Sequence, residues 1–431
     1  MTLVVQKYGG SSVADSASLK RVARRIVRTT EAGHDVVVVV SAMGDTTDDL
    51  LHLSTDITHD PDARELDMLL TAGERISMSL LAMAVREAGH DAVSLTGIQA
   101  GLQTTGDFGS ARITGIEPRR IKHAISEGSV PIVAGFQGVS TQDDVTTLGR
   151  GGSDTTAVAV AAALAADACE INTDVDGMFS ADPRVVPRAR HLPVVSTAEA
   201  LELAAHGASD LHLRSVEFAR RFDVPVQVRS SFSDEPGTWV VDDPRSIPAF
   251  ARRHHEETSM EEPVITGVAH SHDLCKITIL NVPDIAGRAA TIFSVLSEAV
   301  STVDMVGQTH TSQETGHIDF SFALPLSEGA RAVESLRRAQ AELGYSDVTY
   351  TEDVGKLSVV GAGMRSNAQV SATLFHALSE AGITIHLVST TEIRISVVVD
   401  DSQLDEATRV AHEGYALDAD ADALVYAVSS L

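Results

Sequence analysis

The sequence predicts an α/β protein: a layered domain with a mostly parallel central sheet, followed by two small ferredoxin-like (βαββαβ) modules. Three observations predict this class. From residue 3 to about residue 248, short β-branched runs alternate with segments of helical period. Five consecutive valines at 36–40 suit a strand that is buried on both faces, as in a parallel sheet. Residues 293–299 and 375–381 share five of seven identities at an offset of 82, which indicates a repeated unit.

The composition is that of a globular chain. Its 431 residues correspond to about three domains, and 43% apolar with 22% charged residues exclude disorder over the whole length. We expect no membrane span, because no apolar run reaches the roughly 18 residues that one needs. The N-terminus lacks the pattern of a secretory signal, and two cysteines, Cys169 and Cys275, are too few for a disulfide framework or a cysteine zinc site. We therefore expect a cytoplasmic protein.

The charge balance is strongly acidic, with 33 basic and 60 acidic residues and a net charge of −27. A nucleic-acid partner would require a basic face, so the balance argues against one. It does not exclude an anionic substrate, since a few local Arg and Lys side chains decide that.

The first domain is predicted to span residues 1–248. Its predicted strands are residues 3–5, 35–40, 92–95, 131–136 and 169–173, and its predicted helices are residues 18–30, 65–89, 119–127 and 154–166.

A polar linker at 249–263 follows, and it contains the pair His254 and His255. No third ligand lies near this pair at useful spacing, so we expect no metal site. Two modules of about 80 residues are predicted at 264–345 and 346–431. Chance similarity of two Ala/Leu-rich helices is the alternative explanation of the repeat.

Two glycine-containing loops are candidate anion sites. Lys7 precedes Gly9 and Gly10 where the first strand passes into a helix, and residues 149–156 (GRGGSDTT) open a later helix. Glycines let backbone N–H groups approach an anion, and a helix N-terminus favours negative charge. A plain turn explains the first loop equally well and remains an alternative for the second.

Five sequence motifs, in a fixed order along the chain, make it recognisable. It contains KYGGSSV (7–13), SAMGDTTD (41–48), LLTAGERIS (69–77), GRGGSDTTA (149–157) and TDVDGMFSADPR (173–184), with VITGVA (264–269) before the modules. Together these motifs resemble the aspartokinases, most closely the single-function ones of actinobacteria. The resemblance spans the chain and implies an amino-acid kinase domain followed by two ACT modules.

The resemblance also implies roles for single residues. Lys7, Asp154 and Arg150 would be catalytic, with Asp154 orienting Lys7 and Arg150 pairing with a substrate carboxylate. The aspartate pocket would comprise Thr47, Glu74, Arg150, Gly151, Gly152 and Ser153, with Glu74 accepting the α-ammonium. ATP would be bound by Lys7, Tyr8, Gly9, Gly10, Ser41, Thr173, Asp174, Phe179, Asp182 and Arg184.

The implied reaction is ATP-dependent phosphorylation of the β-carboxylate of L-aspartate, for lysine, threonine and methionine synthesis or a specialised branch. That carboxylate is already ionised at pH 7, so the reaction needs positioning and charge neutralisation rather than a general base. Mg²⁺ would arrive with the nucleotide. The ACT modules imply a homodimer or higher oligomer.

Some positions depart from the family pattern. The family's second phosphate-site lysine is Ser209 here, followed by Asp210, and the aromatic before Thr173 is Asn172. We considered Arg214, Arg184 and Arg229 as replacements for the lost cation. Two alternatives to aspartate kinase activity follow: a catalytically weak homologue that serves as an amino-acid sensor or partner regulator, and a kinase for a related acyl substrate.

The ACT modules depart as well. Asp284 and Gln308 keep the family's effector-site residues, whereas other effector positions are replaced, namely by Ala286, Thr302, Thr309, Ala368, Gln369 and Thr384. Losing amide groups removes donors and acceptors. We therefore expect weak binding of lysine and threonine.

Overall fold

The computed structural model describes residues 2–205, 211–251, 265–300, 302–312, 316–362, 364, 368–420 and 423. The linker residues 252–263 and the departures Ser209 and Asp210 lie outside the described residues.

The first domain is built around a mostly parallel sheet. Its strands are β1 (Thr2–Tyr8), β2 (His34–Val40), β3 (Ala92–Leu95), β4 (Leu102–Thr104), β5 (Ile113–Ile116), β6 (Val130–Ala134), β7 (Gln137–Val139), β8 (Val145–Thr147), β9 (Ala168–Thr173), β10 (Met178–Phe179), β11 (His191–Leu192), β12 (Val194–Val195), β13 (Val226–Ser230) and β14 (Thr238–Val240). Eight of them form the central sheet in the order β12-β14-β13-β9-β1-β2-β6-β3, and β13–β14 is its antiparallel pair. A smaller sheet has the order β5-β4-β7-β8.

Helices cover both faces of the central sheet. They are α1 (Ser16–Glu31), α2 (Thr46–Ile57), α3 (Ala63–Leu70), α4 (Ala72–Glu87), α5 (Gly97–Ala100), α6 (Arg119–Ser126), α7 (Gly152–Leu164), α8 (Thr197–Ala205) and α9 (Leu213–Phe222). The predicted double burial of the valine strand is confirmed: Val37 and Val39 belong to one core cluster, and Val36, Val38 and Val40 belong to the other.

The predicted single helix at 65–89 is wrong. Two helices, α3 and α4, meet at Thr71, whose hydroxyl donates to the Met68 carbonyl at 3.0 Å. By length and composition alone, Ala63–Glu87 is long and apolar enough to cross a membrane. Half of its apolar 18-residue window is buried, however, and Leu81 and Val85 pack in the core beneath the sheet. It is thus a core helix pair of the domain.

The C-terminal half contains one six-stranded sheet in the order β16-β17-β15-β18-β20-β19. Its strands are β15 (Gly267–Pro283), β16 (Met305–Ser312), β17 (His317–Pro325), β18 (Asp347–Val360), β19 (Leu387–Thr390) and β20 (Arg394–Asp400). Its helices are α10 (Arg288–Ser297), α11 (Leu326–Arg338), α12 (Gln340–Leu343), α13 (Ala368–Glu380) and α14 (Leu404–Gly414).

The two long strands β15 and β18 belong to both modules. Residues 267–271 of β15 pair with residues 356–360 of β18 in the second module, and residues 276–280 pair with 347–351 in the first. The sequence predicts two separate units, whereas in the structure the two modules share the central strand pair β15 and β18. The boundaries 264–345 and 346–431 stay predictions.

The second module packs against the first domain. Val268 donates its N–H to the Ser180 carbonyl at 2.7 Å, and the Ser180 hydroxyl contacts His412 Nε2 at 2.8 Å. Arg394 pairs with Glu202 at 3.2 Å. These contacts join the C-terminal half to the 178–184 segment and to α8.

Candidate active site

The recognisable loops meet at one edge of the central sheet. Strands β2, β1 and β9 are parallel neighbours, so their carboxyl ends lie together. Open α/β sheets bind ligands at this edge. The loop after β1 is bonded to the loop after β2, because Ser41 donates its N–H to the Tyr8 carbonyl at 3.1 Å and Gly44 donates to the Gly10 carbonyl at 3.1 Å.

A buried ion pair lies at the centre of this edge. Lys7 Nζ is 2.6 Å from Asp154 Oδ1, and the two side chains are only 12% and 7% exposed. Lys7 lies near the end of β1, and Asp154 lies in the first turn of α7. The pair thus places a cation beside a helix N-terminus, an arrangement suited to an anionic ligand.

Glycines let the loops approach each other closely. A Cβ on Gly10 would lie 2.9 Å from the Gly44 carbonyl oxygen. Gly151 has φ of 68°, and a Cβ there would lie 1.9 Å from the His212 ring. Only glycine fits both positions, so the loop before α7 is held beneath His212, a neighbour that sequence reasoning missed.

Glu74 is the most buried of the predicted site carboxylates, at 2% exposure. Its Oε1 accepts the Ala42 N–H at 3.1 Å, and its Oε2 has no hydrogen-bond partner among the described residues. Burial raises the pKa of Glu74 to about 7. A buried carboxylate oxygen without a partner is a good acceptor for a ligand's cationic group.

The remaining residues of the predicted aspartate pocket differ in their exposure to solvent. Arg150 is exposed and Thr47 is half-buried in the first turn of α2. Ser153 is buried in the first turn of α7. A Cβ added to Gly135 would lie 2.8 Å from the Ser153 hydroxyl oxygen. Gly152 begins that helix and donates its N–H to Gly149.

The predicted nucleotide residues divide into two groups. Thr173 ends β9 and Asp174 follows it, with the Thr173 hydroxyl donating to Asp174 at 3.0 Å. Arg184 is exposed and contacts Asp182 at 3.3 Å, whereas Phe179 is buried against His191. This second group lies on the segment that contacts the second module.

The Tyr8 side chain is fully buried, and its hydroxyl donates to Gln6 at 3.1 Å. Burial raises the pKa of Tyr8 well above its ordinary range. Only the backbone of Tyr8 is left to contact a nucleotide.

Sequence reasoning missed Asp67, a buried carboxylate on α3. It accepts the Thr147 N–H at 2.8 Å, the Thr147 hydroxyl at 2.7 Å and the Gly109 N–H at 3.0 Å. These bonds attach β8 to α3 just before the loop that leads to α7. An acidic residue inside an apolar helical pattern is the available sequence signal, since a buried carboxylate needs partners.

Two of the arginines considered as replacements for the lost lysine have other partners. Arg214 donates to the carbonyls of Leu148 and Ala111, both at 2.9 Å. Arg229 lies 3.6 Å from Glu170 and donates to the Glu235 carbonyl. Asn172, in place of the family aromatic, is buried and donates to the Lys7 carbonyl at 3.2 Å. Arg214 therefore fixes the base of the loop before α7 rather than extending toward a phosphate.

The predicted effector residues lie on the surface of the first module. Asp284 precedes α10 and is exposed, and its N–H donates to the Gly316 carbonyl at 2.9 Å. Gln308 is exposed on β16, which is the outer strand of the sheet.

Comparisons with known proteins agree with this arrangement. The amino acid kinase family matches residues 2–230, and the ACT domain matches residues 357–415. The chain is 55% identical over 428 residues to the aspartokinase of Mycolicibacterium smegmatis and 51% identical over 428 residues to that of Corynebacterium efficiens, with 99% of each chain covered in both cases.

Solved structures show the same fold. E. coli aspartokinase III in complex with aspartate and ADP has a TM-score of 0.78 at 23% identity, covering 96% of this chain and 99% of that one. Aspartate kinase from Synechocystis has a TM-score of 0.53 at 37% identity, covering 96% and 70%. The chain belongs to the aspartokinases, kinases of the amino acid kinase family that carry ACT domains.

Proposed function

We propose that the enzyme transfers the γ-phosphoryl group of ATP to the β-carboxylate of L-aspartate, with weakened feedback by lysine and threonine. The observation that carries this proposal is the buried Lys7–Asp154 pair at the start of α7. It lies on the same sheet edge as Glu74, whose second oxygen lacks a partner among the described residues. The edge thus offers one cation for phosphate and one carboxylate for an ammonium group.

The chemistry follows from these groups. An aspartate carboxylate oxygen forms a bond to the γ-phosphorus, and the bond from that phosphorus to the bridging oxygen breaks, so that ADP leaves with the electron pair. No proton has to move, because the attacking carboxylate is ionised. Lys7 and the N–H groups at the start of α7 would offset the charge on the phosphate oxygens. Asp154 keeps the ammonium group of Lys7 in place.

On the substrate side, Glu74 would accept the α-ammonium, with Ser153 and Thr47 completing the pocket. Arg150 would pair with a carboxylate of aspartate, since a guanidinium can bind both oxygens at once. Its exposure is compatible with a side chain that closes onto the substrate. Gly151 and Gly152 would let the backbone approach that carboxylate.

The nucleotide would extend from Lys7, Gly9 and Gly10, past Ser41 and the Tyr8 backbone, toward the end of β9 and the 178–184 segment. The residues that would bind it there are Thr173, Asp174, Phe179, Asp182 and Arg184. Solved relatives support this use, since E. coli aspartokinase III was crystallised with aspartate and ADP.

Mg²⁺ would accompany the nucleotide and supply further charge neutralisation between its phosphates. Among the described residues at this edge, the Asp154 carboxylate is already paired with Lys7, so the ion would be held mainly by the nucleotide. We propose a cytoplasmic location and association through the ACT modules as further parts of the same function.

Release of ADP measured with aspartate and with succinate tests the proposal. We expect turnover with aspartate and at least tenfold lower kcat/KM with succinate, which has both carboxylates but no ammonium for Glu74. Equal rates would exclude the proposed role of Glu74. No turnover with either acid would favour the alternative of an amino-acid sensor, and a better rate with another acid would favour a related acyl substrate.

The missing family lysine provides a second test. Because Arg214 and Arg229 are engaged elsewhere, we expect Ser209→Lys to raise turnover, and Ser209→Lys with Asp210→Val to raise it further. No increase in either variant would mean that another cation already serves the phosphates.

A further inference from the structure

A cluster of metal-binding side chains lies on the second module, away from the Lys7 edge. His270 and His272 lie two residues apart on β15, and Asp405 lies in the first turn of α14. Asp401 lies in the short helical turn Asp401–Gln403 just before α14. Each of His270, His272 and Asp405 offers a ligand atom within 4.8 Å of the others, and no other group of three such residues converges in the described part of the chain.

His272 lies between two carboxylates, one facing each ring nitrogen. Its Nδ1 lies 2.7 Å from Asp401 Oδ1, and its Nε2 lies 3.3 Å from Asp405 Oδ1. A neutral imidazole has one N–H and one lone pair. If the N–H points to Asp401, the lone pair of Nε2 points to a carboxylate, which is unfavourable unless a proton or a metal ion lies between them.

The contact with Asp401 is the one that a metal-binding histidine usually makes. Such histidines donate the second ring N–H to a carboxylate or carbonyl, which fixes the tautomer and strengthens the ligand. In this cluster Asp401 takes that place at 2.7 Å. Asp401 thus already orients His272 in the way that a metal site requires, with the second ring nitrogen of His272 facing the cluster.

His270 supplies an independent observation. It is 8% exposed, and its Nδ1 has no hydrogen-bond partner in the described part of the chain. Its ring lies 5.5 Å from the His272 ring, nearly perpendicular to it.

We propose that His270, His272 and Asp405 bind a divalent transition metal ion such as Zn²⁺, with Asp401 orienting His272. The donor set of two imidazoles and one carboxylate suits Zn²⁺, Ni²⁺ or Cu²⁺ rather than the harder Mg²⁺. Zinc bonds of about 2.0–2.2 Å require ligand atoms roughly 3.3 Å apart. Because the side chains of His272 and Asp405 are half exposed, their rotation can supply the needed approach, and water completes the coordination.

The position of the site gives it a structural consequence. The ion would join β15 to α14, two elements of the second module that both contact the segment holding Ser180. The charges of Asp182 and Arg184 also interact with the His270 ring. A bound ion would therefore stiffen the junction between the second module and the 178–184 segment. The binding proposal itself does not depend on the proposed function, because it is tested without substrates.

Titration of the untagged, chelator-treated full chain with Zn²⁺ by calorimetry, and with Co²⁺ by visible absorption, tests the proposal. We expect one equivalent of Zn²⁺ per chain and a Co²⁺ spectrum of a site with nitrogen ligands and low coordination number. His272→Ala and Asp405→Asn should each weaken Zn²⁺ binding at least tenfold. Asp401→Asn should weaken it about 10- to 100-fold without removing a ligand.

Two control variants separate this cluster from adventitious binding. His376→Ala removes an exposed histidine that contacts Glu380 at 3.2 Å on α13, and His254→Ala with His255→Ala removes the linker pair. Neither should change the affinity. Absence of Zn²⁺ binding, or unchanged binding in both His272→Ala and Asp405→Asn, would overturn the proposal.

Discussion

The two halves of the molecule keep their charged groups in different places. At the edge of the central sheet, Asp154 and Glu74 are buried and Lys7 is nearly so, and each contacts a partner side chain or the backbone. On the first ACT module, the predicted effector residues Asp284 and Gln308 are exposed. Removing one partner of a buried ion pair typically costs about 3–5 kcal/mol, whereas exposed positions tolerate change within about 0.5 kcal/mol. The fold therefore constrains the catalytic edge far more strongly than the effector surface.

The C-terminal half has buried charges too, but they join structural elements. Lys356 is 3% exposed and pairs with Asp304, which connects the shared strand β18 with the segment before β16. Arg394 pairs with Glu202 across the domain contact. In this half, the buried charges connect structural elements and domains of the chain. The predicted effector positions lie outside these contacts.

The largest effect is expected for Lys7→Ala. Removing one preorganised charge contact to a transition state costs about 10²–10³ in rate, and Asp154 would in addition remain buried without its partner. Turnover should fall by at least that factor, measured by ADP release with aspartate, while circular dichroism stays unchanged. Lys20→Ala, an exposed lysine on α1, is the matched control. Retention of more than about a tenth of the activity would show that other cations neutralise the phosphates.

Glu74→Gln should weaken aspartate binding and stabilise the free protein. The variant keeps an acceptor for the Ala42 N–H but loses the charge for an ammonium group, so KM for aspartate should rise about 10- to 100-fold. Since only ionised Glu74 binds the ammonium and its pKa is about 7, wild-type kcat/KM should rise with pH through about 7. The variant should lack this rise.

The stability effect of the same variant has a defined sign. Burial raises the pKa of Glu74 to about 7, so the native state binds a proton that the unfolded state has already lost between its ordinary pKa and 7. Wild-type stability should fall through this window, and Glu74→Gln should be more stable at pH 8 by about 2–3 kcal/mol. Urea unfolding at pH 5 and pH 8 measures this, with the exposed Glu87→Gln on α4 as control. Equal stability at pH 8 would show that Glu74 is ionised without cost.

Asp67→Asn should destabilise the attachment of β8 to α3, which supports the catalytic edge. An amide cannot accept the bonds from Thr147 and Gly109 with both of its terminal atoms. We expect a loss of about 2–4 kcal/mol in unfolding free energy and a lower kcat, because β8 leads to the loop before α7. Asp91→Asn, at an exposed pair 3.6 Å from Arg86, should change stability by less than about 0.5 kcal/mol. Matching losses in the two variants would contradict the positioning role of Asp67.

The sequence predicted the long regular elements and missed the short or shared ones. The valine strand β2 carries enough β-branched residues for its burial on both faces to be read directly. Strands β4, β7 and β8 have three residues each, too few to show a period. The sharing of β15 and β18 between modules depends on pairings across the chain, which no local pattern contains.

The site shows the same division. The resemblance named Lys7 and Asp154 and implied that Asp154 orients Lys7, but no local pattern contains this contact, which forms through the packing of α7 on β1. Asp67 was missed because its partners, Gly109 and Thr147, are distant in sequence. His270, His272 and Asp405 were missed for the same reason, since β15 and α14 meet only in the folded module. Spacing reveals sites within one element, and only the fold reveals sites between elements.

The smallest effect is expected for the effectors, and it tests the other side of the comparison. An effector shifts a two-state equilibrium only by its differential affinity for the two states. Losing two or three hydrogen bonds at about 1 kcal/mol each weakens binding on the order of 10²-fold. Among the replaced positions, Thr302 is exposed before β16 and Thr309 is exposed within it. Lysine and threonine, alone or together, should therefore inhibit only weakly in a steady-state assay with aspartate.

Restoring one amide makes this prediction sharper. Thr309→Asn returns a donor and an acceptor to β16, and about 1 kcal/mol corresponds to roughly fivefold tighter effector binding by calorimetry. Thr349→Asn places the same side chain at an exposed position of β18, away from the predicted pocket, and should change nothing. If lysine or threonine half-inhibits the unmodified enzyme below about 1 mM, the substitutions are tolerated and the effector surface is still a working pocket. Weak inhibition that Thr309→Asn strengthens, and Thr349→Asn does not, would instead identify the lost amide as a cause of the weak feedback.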